Sequence, residues 1–178
     1  MQEYDLPREI IRDFCIPASS KVKISHGVNS RAGGYFVTIC THERKCLFGE
    51  VVDGEMELNE NGKIVKSEWL KTEEIRDNIS TDEFVIMPNH VHGILFIDEP
   101  AERFGQPTSN SIPTIIRSFK AAVTKQINEL RNTSGLPVWQ RSFFDRVIRN
   151  DDELNKIREY ILYNPLKWQI ENENPENL

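Results

Sequence analysis

Only Pro88 and Asn89 separate two runs of strand-forming residues, Glu83 to Met87 and His90 to Ile97. A link that short cannot carry a crossover, so the two runs must pair antiparallel. Around this hairpin the chain supplies further elements. Tyr35 to Thr41, rich in aromatic and β-branched residues, predicts a first core strand. Glu50 to Val52 and Glu55 to Leu58 flank Asp53-Gly54, a pair that tolerates positive φ at both turn positions and predicts a small peripheral hairpin.

Helical spacing is found in three places. Ile64, Val65, Trp69, Leu70 and Ile75 predict a helix over 64–79, with Asn59 to Gly62 as the breaker before it. Ile116, Phe119, Val123, Ile127 and Leu130 give an i, i+3, i+4 stripe for a helix beginning near Pro113. A last helix starts at Asn150-Asp151 and stops by Asn164, because Pro165 disfavours helical geometry in the residue before it. Val138 to Ile148 reads as the strand between them. The order strand, hairpin, helix, strand, strand, helix, strand, helix predicts an α+β fold, a ferredoxin-like sandwich with a central antiparallel sheet and helices on one face.

A chain of 178 residues with 38% hydrophobic content can bury one core, with 1–34 as an N-terminal arm, 35–168 as the domain and 169–178 as a tail. Residues 98–112, with Pro100, Gly105 and Pro107, read as a mobile loop. Three cysteines, Cys15, Cys40 and Cys46, form no CxxC pair and suit a reducing cytoplasm rather than a cross-linked secreted scaffold. No apolar run of about 18 residues exists to cross a bilayer, and the first residues carry acids where a secretion signal carries bases.

The net charge of −6 speaks against a polyanionic partner until its distribution is read. Between Ser111 and Arg149 stand Arg117, Lys120, Lys125, Arg131, Arg141, Arg146 and Arg149 against Glu129 and Asp145, a net of +5, so the remainder carries −11. That asymmetry can steer a nucleic acid to one face, or can be ordinary solvated surface charge.

Two constellations carry chemistry. On a strand, His90 and His92 point to the same side and can share one cation, although a lone His-x-His pair is by itself a weak signal. Their place inside the apolar run Val91, Gly93, Ile94, Leu95, Phe96 strengthens it. On the last helix, Tyr160 and Asn164 stand one turn apart and put a phenol and an amide on one face. A helical tyrosine is ordinarily a half-buried core residue, which is the plain alternative for Tyr160.

Taken together, Tyr35 to Thr41, Met87-Pro88-Asn89-His90-Val91-His92-Gly93-Ile94, Ile115 to Lys120, Trp139-Gln140, and Phe144 to Arg149 running on to Tyr160-Ile161-x-x-Asn164-Pro165 resemble the REP-associated tyrosine transposases. These are single-tyrosine HUH enzymes, named for two histidines around a hydrophobic residue, and the likeness spans Tyr35 to Trp168. The resemblance implies that His90, His92 and Asn164 hold Mg²⁺ or Mn²⁺, that Tyr160 is the nucleophile, and that single-stranded or hairpin DNA is cut through a 5′-phosphotyrosine. Tyr163 does not fit the family's spacing to Asn-Pro. Arg117, Lys120, Arg141, Arg146 and Arg149 are then expected at DNA phosphates, with Trp139 expected in the core and base stacking its alternative.

His42 is a conceivable third ligand, but Glu43, Arg44 and Lys45 make a surface turn the better reading. The acidic total departs from the family's basic character. Monomer and homodimer both stay open, as does a hairpin-binding protein without cleavage. An RNA-binding ferredoxin-like domain is a third reading and needs exposed aromatics on the sheet face.

Overall fold

In the computed structural model, which describes residues 32–98 and 111–173, the strands β1 (Gly33–Cys40), β4 (Ile79–Met87), β5 (His90–Ile97) and β6 (Phe144–Ile148) form one sheet. Their order is β4-β5-β1-β6, and every neighbouring pair is antiparallel. Most of the expected arm and of the loop expected at 98–112 falls outside the described residues.

Alternation along β1 and β5 sorts side chains onto two faces. Tyr35, Val37 and Ile39 join Val91, Leu95 and Ile97 on the first face. Trp69 of α1 (Glu60–Glu74) and Ile115, Ile116, Phe119, Val123 and Ile127 of α2 (Ile112–Leu130) cover them. The second face presents Phe36 and Ile94, covered by Ile157, Tyr160 and Ile161 of α3 (Asp151–Leu162). The fold is the expected α+β sandwich, with one difference: helices lie on both faces of the sheet rather than one. The central strands are buried on both sides, so a single layer of helices cannot cover them.

The two-residue hairpin turn forms as expected between β2 (Gly49–Val52) and β3 (Glu55–Leu58). Asp53 and Gly54 both take positive φ, 51° and 77°. Elsewhere the boundaries move. The residues read as a breaker start α1, because the Asn59 side chain accepts the Gly62 N–H at 3.0 Å and caps the helix. That helix ends at Glu74, since from Ile79 onward the backbone pairs with β5. β6 is only Phe144–Ile148, and Val138-Trp139 instead plug into the core, with Trp139 joined to Thr41 by a lone bridge.

α3 begins and ends as expected. Its Asn150 cap accepts the Glu153 N–H, and the chain then turns at Tyr163 into α4 (Asn164–Glu173). The segment assigned to a tail is therefore helical as far as Glu173. No helix among the described residues is long and apolar enough to cross a membrane.

Candidate active site

The second face of β5 presents His90 and His92 side by side, with ring centroids 4.5 Å apart. Each imidazole is held at its Nδ1. Thr38, directly across the ladder on β1, meets His92 Nδ1 at 2.8 Å, and Asn89 Oδ1 accepts from His90 Nδ1 at 2.7 Å. With Nδ1 engaged, Nε2 is the remaining ring nitrogen of each histidine. Asn89 is itself anchored, its amide donating to the Arg44 carbonyl at 3.2 Å.

From above, α3 lowers Tyr160 onto this pair. Its Oη lies 3.3 Å from His92 Nε2, and the two rings are 5.1 Å apart. Phe36 fixes both rings, stacking on His92 at 5.4 Å and meeting Tyr160 edge-on at 6.1 Å. Asn164, at the start of α4, hydrogen-bonds to His90. All four polar side chains are buried. Tyr163 caps the C-terminal end of α3, its N–H donating to the Glu159 carbonyl at 3.0 Å.

Electrostatics keep both rings neutral. Burial pushes His90 down to about 3, helped by the Arg44 charge and opposed by the hydrogen bond to Asn164. Burial, the His90 ring, Lys167 and Arg44 hold His92 well below its ordinary value. Two neutral imidazoles on one face of β5 and an adjacent amide are a donor set that fits a divalent cation with coordination positions left open. Imidazole suits Mn²⁺ better than Mg²⁺. No cluster of three His, Cys, Asp or Glu that could hold a metal ion exists among the described residues. His42 stays away at the surface, its ring beside Glu43.

The five basic residues singled out in the sequence separate into two groups. Arg117, Arg141 and Arg149 are exposed, with Arg117 on α2 and so on the face opposite the histidines. Lys120 turns inward and donates to the carbonyls of Gln140 at 2.9 Å and Ser142 at 3.0 Å. Arg146 reaches Glu153 at 2.7 Å. Trp139 is core, packed between Phe48 and Phe119. Thr38 and Asn89 escaped the sequence reading, although Asn89 directly precedes His90 and Thr38 shares the inward parity of Phe36.

No family model matches the chain. An uncharacterized protein of Haemophilus influenzae is 36% identical to it over 161 residues, 83% of this chain and 88% of that one. The solved structure of a REP-associated tyrosine transposase bound to a REP hairpin superposes with a TM-score of 0.55 at 20% identity, over 82% of this chain and 74% of that one. The chain thus belongs to the same family as the Haemophilus influenzae protein, and its fold is that of a REP-associated tyrosine transposase.

Proposed function

We propose that the protein is a transposase-type nuclease that nicks and rejoins single-stranded DNA at a hairpin, using Tyr160 as the nucleophile. The observation that carries this reading is the 3.3 Å approach of Tyr160 Oη to His92 Nε2, across 68 residues of sequence. The neighbour of the same fold was solved on a REP hairpin, which supports hairpin DNA as the substrate class.

His90, His92 and Asn164 would hold Mg²⁺ or Mn²⁺, which would supply Lewis-acid charge to the scissile phosphate. The protein's own residues do the rest. Phe36 fixes the Tyr160 ring edge-on, so its hydroxyl has one direction of attack. Burial of the site limits competing water. As the bond from Tyr160 Oη to phosphorus forms, the phenol proton passes to solvent, the bond from phosphorus to the 3′-oxygen breaks, and that oxygen takes up a proton. The product is a 5′-phosphotyrosine and a free 3′-hydroxyl, and rejoining reverses the step without ATP. Arg117, Arg141 and Arg149 contact outlying phosphates, while Lys120 and Arg146 shape the surface from within.

The test incubates the protein with Mn²⁺ and a labelled hairpin oligonucleotide and looks for an adduct that survives denaturation. We expect it in wild type and Tyr163→Phe and not in Tyr160→Phe. Loss in Tyr163→Phe alone makes Tyr163 the nucleophile. Tight hairpin binding with no adduct from wild type makes the protein a non-cleaving hairpin binder.

A further inference from the structure

Tyr160 stands in the last turn of α3 and Asn164, Lys167 and Trp168 stand at the start of α4, with the Lys167 N–H donating to the Tyr163 carbonyl at 3.0 Å across the junction. The first two face the histidines. The Lys167 ammonium lies 5.6 Å from the centre of the Tyr160 ring, and the Trp168 indole lies 5.9 Å from the His90 ring. We propose that Lys167 and Trp168 form a nucleotide subsite beside the cleavage centre, Lys167 taking a backbone phosphate and Trp168 the face of a base next to the scissile bond. The inference rests on the strand-cleavage reading above.

Three observations support it. Lys167 is held against the tyrosine with its side chain only 13% exposed, and its ion-pair partner Glu171, at 3.4 Å, has a solvent-facing side chain that a phosphate can displace. Its charge is also felt at His92. Trp168 is partly exposed, whereas Trp69 and Trp139 are sealed in the core and cannot stack on a base. Finally, α4 is braced from outside. The Gly54 N–H donates to Gln169 Oε1 at 2.5 Å, and Leu166 packs against Gly54 so closely that a Cβ there would meet its Cδ1 at 3.2 Å. The peripheral β2–β3 hairpin thereby buttresses the helix that carries both residues.

A labelled hairpin with a single-stranded oligothymidine tail, compared with the same hairpin blunt, tests the subsite by fluorescence anisotropy in EDTA. Lys167→Gln should weaken binding of the tailed hairpin roughly tenfold and lower the salt slope by about one phosphate contact. Trp168→Ala should weaken it by roughly tenfold through lost stacking, with Trp168→Phe retaining part of the affinity. Blunt hairpin binding should not change in any of the three. Tail binding should also quench tryptophan emission in wild type and not in Trp168→Phe. Wild-type affinity for the tail in both Lys167→Gln and Trp168→Ala, or equal losses on tailed and blunt DNA, overturns the subsite. Should wild type form the Tyr160 adduct in that case, the cleavage reading survives alone. A tail-specific loss without any adduct keeps the subsite and removes the cleavage.

Discussion

Arg158 forks onto Asp82, its Nε and Nη2 meeting the two carboxylate oxygens at 2.8 Å and 2.5 Å. The pair ties the helix of Tyr160 to the edge strand β4, beside the bulge between Thr81 and Phe84. At the other edge of the sheet, Arg146 of β6 grips Glu153 in the first turn of the same helix. α3 is thus pinned at both edges, and Tyr160 hangs over the central strands between the pins.

Cutting one pin should cost geometry more than stability. Arg158 is 40% exposed, so the pair contributes no more than about 1 kcal/mol, and Arg158→Ala should lower the thermal midpoint by only about 2–4 °C. A tilt of α3 moves the Tyr160 hydroxyl, and misplacement of about 1 Å can cost up to a hundredfold in rate, so adduct formation should slow by about tenfold or more. Thermal melts and an adduct time course on the same preparation measure both. An unchanged rate would show that Phe36 and the core alone place the tyrosine.

Gly93, between His92 and Ile94, has a different reason to be glycine. A Cβ there would lie 2.3 Å from Trp69 Cζ2 and 2.8 Å from its Cη2, because the indole packs against the strand at that position. Gly93→Ala should therefore destabilise the protein by about 1–3 kcal/mol through overpacking, read as a shift of the urea midpoint. Trp69→Phe should relieve part of that penalty in the double variant. If Gly93→Ala unfolds at the wild-type midpoint, the indole does not occupy that space.

What could be read from the residues, and what could not, follows from the range of the interactions involved. The β4–β5 hairpin, the Asp53-Gly54 turn and the Asn150 cap depend on neighbours within a few positions, and all three were legible. The inward-facing histidines and the tyrosine one turn before Asn164 were legible as spacings, and the family resemblance joined them. Boundaries were lost where distant contacts decide. Val138 and Trp139 have strand-like character, yet the core claims them as plugs. Lys120 shows the limit for charge. Its position marks a cation near Arg117, but only the tertiary fold turns its ammonium onto the carbonyls of Gln140 and Ser142.

That inward turn gives Lys120 a signature in pH. Burial lowers its pKa from 10.5 to about 8, so the folded protein releases this proton before the unfolded chain does. Between those two values the unfolded state binds more protons, and the Lys120 contribution makes stability rise with pH. Below about 8 both states are protonated and the contribution is flat. Urea denaturation across that window should show wild type gaining on Lys120→Met as pH increases. Parallel curves for the two proteins would mean that Lys120 is solvated after all.

Thr38 tests whether the histidines are prepared for a metal. Its hydroxyl, 3% exposed as a residue, engages His92 Nδ1 at 2.8 Å and leaves Nε2 turned toward Tyr160. If Nδ1 carries the proton, Nε2 keeps its lone pair for a cation, and that preference lasts only while an acceptor sits at Nδ1. Thr38→Val keeps the shape and removes the acceptor. An unpaired buried donor costs about 1–3 kcal/mol, so the folded state should weaken, and the freed ring can change tautomer or rotate. Mn²⁺ affinity should fall by roughly 10–100-fold, with Thr38→Ser close to wild type because it restores the hydroxyl. Titration of free Mn²⁺ by electron paramagnetic resonance separates the two effects, since a merely less stable protein still binds fully under folding conditions. Equal Mn²⁺ affinity in Thr38→Val and wild type would mean that the ring of His92 is not oriented from β1, and the case for a metal at Nε2 would lose its physical basis.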